Sequence, residues 1–103
     1  MIVVDASAVL ELLLHGPAWR EVATRIASPD EDLHAPHLLD LEVAQVLRRH
    51  AQTGAIGDER GRQALDDLAD LDLARHPHDL FLPRIWELRG LVTAYDAAYL
   101  ALA

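Results

Sequence analysis

The sequence predicts an α/β layered domain, with a small parallel sheet flanked by helices. Three observations carry that expectation. The chain opens on a β-branched run, Ile2-Val3-Val4, that empties directly into Asp5 and an apolar helical pattern. Two further short strand-like pieces, Leu33-His34-Ala35 and Asp72 to His76, are separated from it and from each other by helical segments. Strands that alternate with helices of that length are those of a parallel sheet with helical crossovers.

The elements follow in order. Ile2 to Val4 reads as a short buried strand. Ser7, ahead of Ala-Val-Leu-Glu, reads as the start of a helix reaching Leu14 and ending near His15-Gly16. Pro17 suits the first turn of a second helix, which carries Trp19, Val22, Ala23 and Ile26 on one side. Ser28-Pro29-Asp30-Glu31-Asp32 is a polar break, and the strand from Leu33 to Ala35 stops at Pro36. Leu38 to Gln52 is a helix closed by Thr53-Gly54. Asp58 reads as the cap of a helix running to about Leu71. After the third strand, Pro77 to Arg89 reads as a helix with Gly90 as its C-cap. Leu91-Val92 reads as a brief extended piece before a last helix that begins at Thr93-Ala94-Tyr95-Asp96. That helix reaches Ala103 without glycine, polar cap or cationic last turn, so a domain continuing past it is expected.

At 103 residues the chain makes a single domain, 1–103, that buries roughly two-thirds of its unfolded surface. Half its residues are apolar (51%) and a quarter charged (25%), as in an ordinary globular protein. No apolar run is long enough for a membrane span, and the N-terminus lacks the basic start of a signal peptide. Without cysteine there is no disulfide framework and no thiolate metal site, so a cytoplasmic protein is expected. The net charge is −8, and every basic residue is arginine. That charge argues against a general nucleic-acid coat, since non-specific binding rests on basic charge. Local arginines and bound cations still leave room for a nuclease.

Three carboxylates stand out, each with a plain structural alternative. Asp5 sits at the carboxyl end of a strand, where open parallel sheets form their sites; the alternative is a turn or capping role. Around the Leu38 helix, at about 100° per residue, Glu42 falls about 40° from Leu38, between Leu38 and Val46 in the apolar stripe. A carboxylate there is paired, protonated or metal-bound, and an ion pair with Arg49 is the alternative. Asp40 falls at the polar edge. In Thr93-x-x-Asp96 the carboxylate occupies the third helical position of a capping box, which alone accounts for it. A helix start also suits a carboxylate aimed at a site. Hard oxygen ligands without cysteine point to Mg²⁺ or Mn²⁺. The six histidines show no HExxH spacing and read mostly as surface or turn residues. There is no P-loop, GxGxxG or GxSxG, and Ser7 reads as a helix cap or a partner to Asp5.

Asp5 after its β-branched strand, followed by Ala-Ser-Ala, resembles the opening of PIN-domain ribonucleases, and in particular the VapC toxins of type II toxin–antitoxin pairs. Leu38-Leu39-Asp40-Leu41-Glu42-Val43 resembles their second motif, whose metal-site glutamate maps to Glu42. Thr93-Ala94-Tyr95-Asp96-Ala97-Ala98-Tyr99 resembles the third, with its acidic residue at Asp96. The three motifs, in order, cover nearly the whole chain. The resemblance implies a PIN-like layered fold with its C-terminal part missing, since the family's usual fourth acidic position lies after the last helix seen here. It implies a Mg²⁺-dependent endoribonuclease, with Mn²⁺ as a substitute. Asp5, Glu42 and Asp96 would be the catalytic and metal residues, and Ser7 and Thr93 their supporting partners. It implies a cognate VapB-like antitoxin and a homodimer. Two other classes share these residues: a catalytically impaired module that only binds its partner, with a groove on the helices at Val9 to Leu14 and Trp19 to Ile26, and a metal-dependent DNA nuclease.

Overall fold

The computed structural model describes all residues, 1–103. Its centre is a three-stranded, wholly parallel sheet in the order β1-β2-β3, made of Ile2–Val3, Leu33–Pro36 and Leu73–His76. Ile2 pairs with Leu33 and Val3 with His34; Leu33 pairs with Leu73 and Pro36 with His76. Val4 extends the first strand's bonding, its N–H donating to the His34 carbonyl at 2.9 Å. Helices α1 (Ala6–Leu14) and α2 (Trp19–Ile26) link β1 to β2, while α3 (Leu38–Thr53) and α4 (Asp58–Asp70) link β2 to β3. A 3₁₀ turn (Asp79–Phe81), α5 (Leu82–Glu87) and α6 (Ala94–Leu102) complete the chain.

The expected α/β architecture is present, and several boundaries differ for local reasons. Helix α1 begins one residue before Ser7, and its cap is Asp5, whose carboxylate accepts from the Ala8 N–H. Pro17 lies in the turn before α2 and not in its first turn. His15 ends α1 in the left-handed region (φ 50°), and its ring stacks on Trp19 at 4.4 Å. Asp58 is the first residue of α4; Gly57 holds the cap position without a side-chain bond. The single helix expected from Pro77 to Arg89 is broken in two. Pro83 has no N–H to return to the carbonyl four residues back, so the chain makes a 3₁₀ turn and restarts with proline in the first turn of α5. That helix is capped at Leu88, not Gly90, and Leu91-Val92 forms turn and bend, not an extended piece.

One apolar cluster joins the sheet (Val4, Leu33, Ala35, Leu73) to Val9 and Leu13 of α1, to Leu39, Val43 and Leu47 of α3, and to Ala64 and Leu68 of α4. Val9 and Leu13 are therefore core, which removes them from any partner groove. A smaller cluster, Ile85, Leu88, Ala97 and Ala98, joins α5 to α6. Each fully buried aliphatic side chain stabilises by about 1.5–3 kcal/mol relative to exposure. Asp40, expected at the polar edge of α3, takes a two-point bond from Arg75 Nε (3.0 and 2.8 Å). Arg75 Nη2 also donates to the Leu68 carbonyl at 3.1 Å, tying β3 to both α3 and α4. Two histidines depart from the surface reading: His34 and His76 lie half-buried on adjacent strands, Nδ1 and Nε2 2.8 Å apart, while His15 and His37 are exposed in turns. No helix is long and apolar enough to cross a membrane.

Candidate active site

In open parallel sheets, sites form in the crevice outside the carboxyl ends of the strands, where the chain leaves each strand for its crossover helix. Asp5 stands at that end of β1. Its backbone remains extended (φ −102°, ψ 172°), the conformation a capping residue takes before the chain enters a helix. Its Oδ1 accepts from the Ala8 N–H at 2.9 Å and from the Ser7 hydroxyl at 2.9 Å. Both bonds fall on one oxygen, which leaves Oδ2 for other partners. The capping reading and the site reading of Asp5 are thus compatible, and Ser7 serves Asp5 and does not cap the helix itself.

Glu42 is half-buried beside the fully buried Val43, in the stripe where its position on the helix wheel put it. Its partner is not Arg49, which is exposed and forms no ion pair with it. Its Oε1 instead accepts the hydroxyl of Tyr99, 57 residues away. Burial, with the nearby Glu42 and Asp5 carboxylates, pushes the Tyr99 phenol above its ordinary value; the Ala6 backbone N–H opposes this. Asp96 sits in the first turn of α6, where the Thr93 hydroxyl oxygen accepts from the Asp96 N–H at 3.2 Å. Thr93 thereby fixes the backbone that carries Asp96, and the capping half of that motif is real.

Asp5, Glu42 and Asp96 line one open depression of about 620 Å³, together with Ser7, Tyr99 and the apolar Leu10, Val46, Val92 and Leu100. Three elements converge there: the end of β1, α3 and the start of α6. As placed, the carboxylates share the depression without forming one coordination sphere, since no group of three or more His, Cys, Asp or Glu is close enough to hold an ion jointly. The donors are all oxygen, and no arginine or histidine lines the depression. Such a set fits a hard cation that keeps much of its water and takes one or two carboxylates, the habit of Mg²⁺. Another cavity, about 540 Å³, lies at the opposite, amino end of the strands against Glu31, Asp32 and Asp72. That is the end at which parallel sheets do not build sites.

Tyr99 is the site residue that sequence reasoning missed. The signal was available: three residues after Asp96 on one helix, it shares a face with it.

Residues 2–103 match the family model described as PIN domain. Among curated proteins, the chain is 48% identical over 103 residues to ribonuclease VapC9 of Mycobacterium tuberculosis, covering 100% of this chain and 77% of that protein. It is 43% identical over 105 residues to ribonuclease VapC1 of the same organism, covering 98% and 76%. It is 36% identical over 110 residues to ribonuclease VapC3 of Pyrobaculum aerophilum, covering 99% and 80%.

Proposed function

This chain belongs to the PIN-domain family of VapC ribonucleases, and on that premise we propose that it is a toxin of that kind, an endoribonuclease acting with Mg²⁺ or Mn²⁺. One observation supports the reading above the others. Three carboxylates from three elements line one depression, and no basic side chain stands among them. A phosphodiester entering that depression meets only negative charge unless a cation stands between them. The lining is therefore of little use to RNA without a divalent ion.

Asp5, Glu42 and Asp96 would hold the ion, one or two of them directly and the rest through its bound water. When bound, such an ion supplies an activated water and offsets charge on the phosphate oxygens. The chain's own residues do the rest. Ser7 and the Ala8 N–H hold Asp5 through Oδ1, so its other oxygen is available to accept the attacking water's proton. Tyr99 holds Glu42, and Thr93 holds the turn that presents Asp96. Water as nucleophile leaves a 5′-phosphate and a 3′-hydroxyl. The RNA 2′-hydroxyl as nucleophile would leave a cyclic phosphate.

The same reading carries a cognate VapB-like antitoxin, a homodimer and a cytoplasmic place of action. Exposed apolar side chains around α5 and the start of α6 (Leu82, Trp86, Leu91, Tyr95) support a surface covered by protein. An antitoxin arginine would match the carboxylates of the depression bidentately. The test is incubation of the chain with RNA in Mg²⁺ or Mn²⁺, with EDTA as control, followed by end-group analysis. Cleavage that EDTA abolishes, leaving 5′-phosphates, is expected. Cyclic phosphate ends, or cleavage indifferent to EDTA, would refute the mechanism. Cleavage of DNA in preference to RNA would refute the substrate.

A further inference from the structure

Glu42 is held in place by a phenol and not by a cation-bearing side chain. Tyr99 reaches it from the helix that carries Asp96, and its ring packs against the main apolar cluster. A half-buried ring anchored in that way cannot swing its hydroxyl far. One oxygen of Glu42, Oε1, is thereby committed to an O–H donor. The phenol fills one lone pair of Oε1, so a cation at Oε2 has no competitor, while one that takes both oxygens must share Oε1 with the O–H. Asp5 is restricted in the same manner, its Oδ1 occupied by Ser7 and by the Ala8 N–H.

This restriction bears on which ion fits. Mg²⁺ is small, octahedral and retains water, and one oxygen from a carboxylate suffices for it. Ca²⁺ takes six to eight oxygens, with carboxylates often contributing both. We infer that Tyr99 is a specificity-determining positioning residue, whose hydroxyl keeps Glu42 a one-oxygen ligand and so favours Mg²⁺ over Ca²⁺ in the depression. The inference rests on the proposed reading of the depression as a divalent-cation site.

The experiment follows Mn²⁺ bound to the 103-residue chain by electron paramagnetic resonance, with Mg²⁺ or Ca²⁺ added to displace it. In the unaltered chain Mg²⁺ should displace Mn²⁺ more effectively than Ca²⁺. In Tyr99→Phe the balance should move toward Ca²⁺ by about tenfold, the scale on which partners of metal ligands act. A purely packing role for the ring would not move this ratio. Mn²⁺ binding that survives Tyr99→Phe with the ratio unchanged would overturn the inference alone. Absence of Mn²⁺ binding by the unaltered chain would overturn the cation site and the inference with it.

Should Tyr99→Phe fail to fold, the unaltered Tyr99 can report directly. The chain has two tyrosines, so Tyr95→Phe labelled with 3-fluorotyrosine leaves Tyr99 as the one ¹⁹F signal. Saturating Ca²⁺ should move that resonance further than saturating Mg²⁺. Equal responses to the two ions would overturn the inference.

Discussion

Asp5 does two jobs, and two substitutions separate them. As N-cap of α1, its Oδ1 accepts from the Ala8 N–H at 2.9 Å, a bond of the kind whose loss costs about 1 kcal/mol, within a range of about 0.5–2. Asparagine caps as well as aspartate does, so Asp5→Asn keeps the bond and removes the charge. Removing the charge forfeits about 0.3–1 kcal/mol of attraction to the helix N-terminus. It also relieves repulsion from Glu42 and Asp96 across the same depression. These two effects oppose each other, so Asp5→Asn should be close to neutral in EDTA. Asp5→Ala should melt lower than Asp5→Asn by the cap alone, about 1 kcal/mol, or about 4–8 °C in a domain of this size. With Mg²⁺ at a hundred times its dissociation constant, the unaltered chain should gain about 2.7 kcal/mol, and neither variant should gain as much. Differential scanning fluorimetry with EDTA and with Mg²⁺ reads all of this. Equal melting of Asp5→Ala and Asp5→Asn would refute the capping role. A full Mg²⁺ response in Asp5→Asn would refute its place in the site.

Three further outcomes are expected. Arg75→Ala should destabilise by about 2 kcal/mol, the cost of bonds to a charged group and to a backbone carbonyl, and a double-mutant cycle with Asp40→Ala in urea should show about 1 kcal/mol of coupling; zero coupling would mean the pair is idle. Thr93→Ala should cost about 1 kcal/mol while Thr93→Ser costs almost none, and both melting and cleavage should follow that order. The raised Tyr99 phenol makes stability fall with alkalinity: below its ordinary value of 10.0 both states keep the proton and pH has no effect through this group. Above that pH the unfolded chain releases the proton and the folded chain retains it, so each further rise favours unfolding. Urea titrations in EDTA between pH 9 and 11 should show this loss blunted in Tyr99→Phe; identical slopes would contradict a phenol raised by its burial and its neighbouring carboxylates.

What the sequence disclosed, and what it withheld, follows from the range of each interaction. Local signals were sufficient for β1, α3 and the start of α6. Ile2-Val3-Val4 is a strand by β-branching, α3 shows its apolar stripe and its glycine stop, and Thr93-x-x-Asp96 announces a cap. Glu42 was legible because a carboxylate in an apolar stripe contradicts the stripe. The errors lie where two local signals competed. Pro77 and Pro83 both suit a helix start, and the missing N–H of Pro83 decided between them. Asp5 and Ser7 both suit an N-cap, and the carboxylate took the position while the hydroxyl bonded to it. The remaining contacts depend on register and packing. His34 meets His76 only because β2 and β3 pair with Pro36 opposite His76. Tyr99 reaches Glu42 only because α6 lies beside the site, across 57 residues of chain.

On the proposed function, three carboxylates, from a strand end, a helix stripe and a helix start, act as one cation-dependent site on RNA. The most direct measurement is single-turnover cleavage in Mg²⁺ by the unaltered chain and by Asp5→Asn, Glu42→Gln and Asp96→Asn, each checked for folding by circular dichroism. Each folded variant should fall to the rate the unaltered chain shows in EDTA, because each carboxylate would hold the cation either directly or through the cation's bound water. A variant that folds and cleaves at the unaltered rate would contradict the proposed function, by showing that the depression is not a single site.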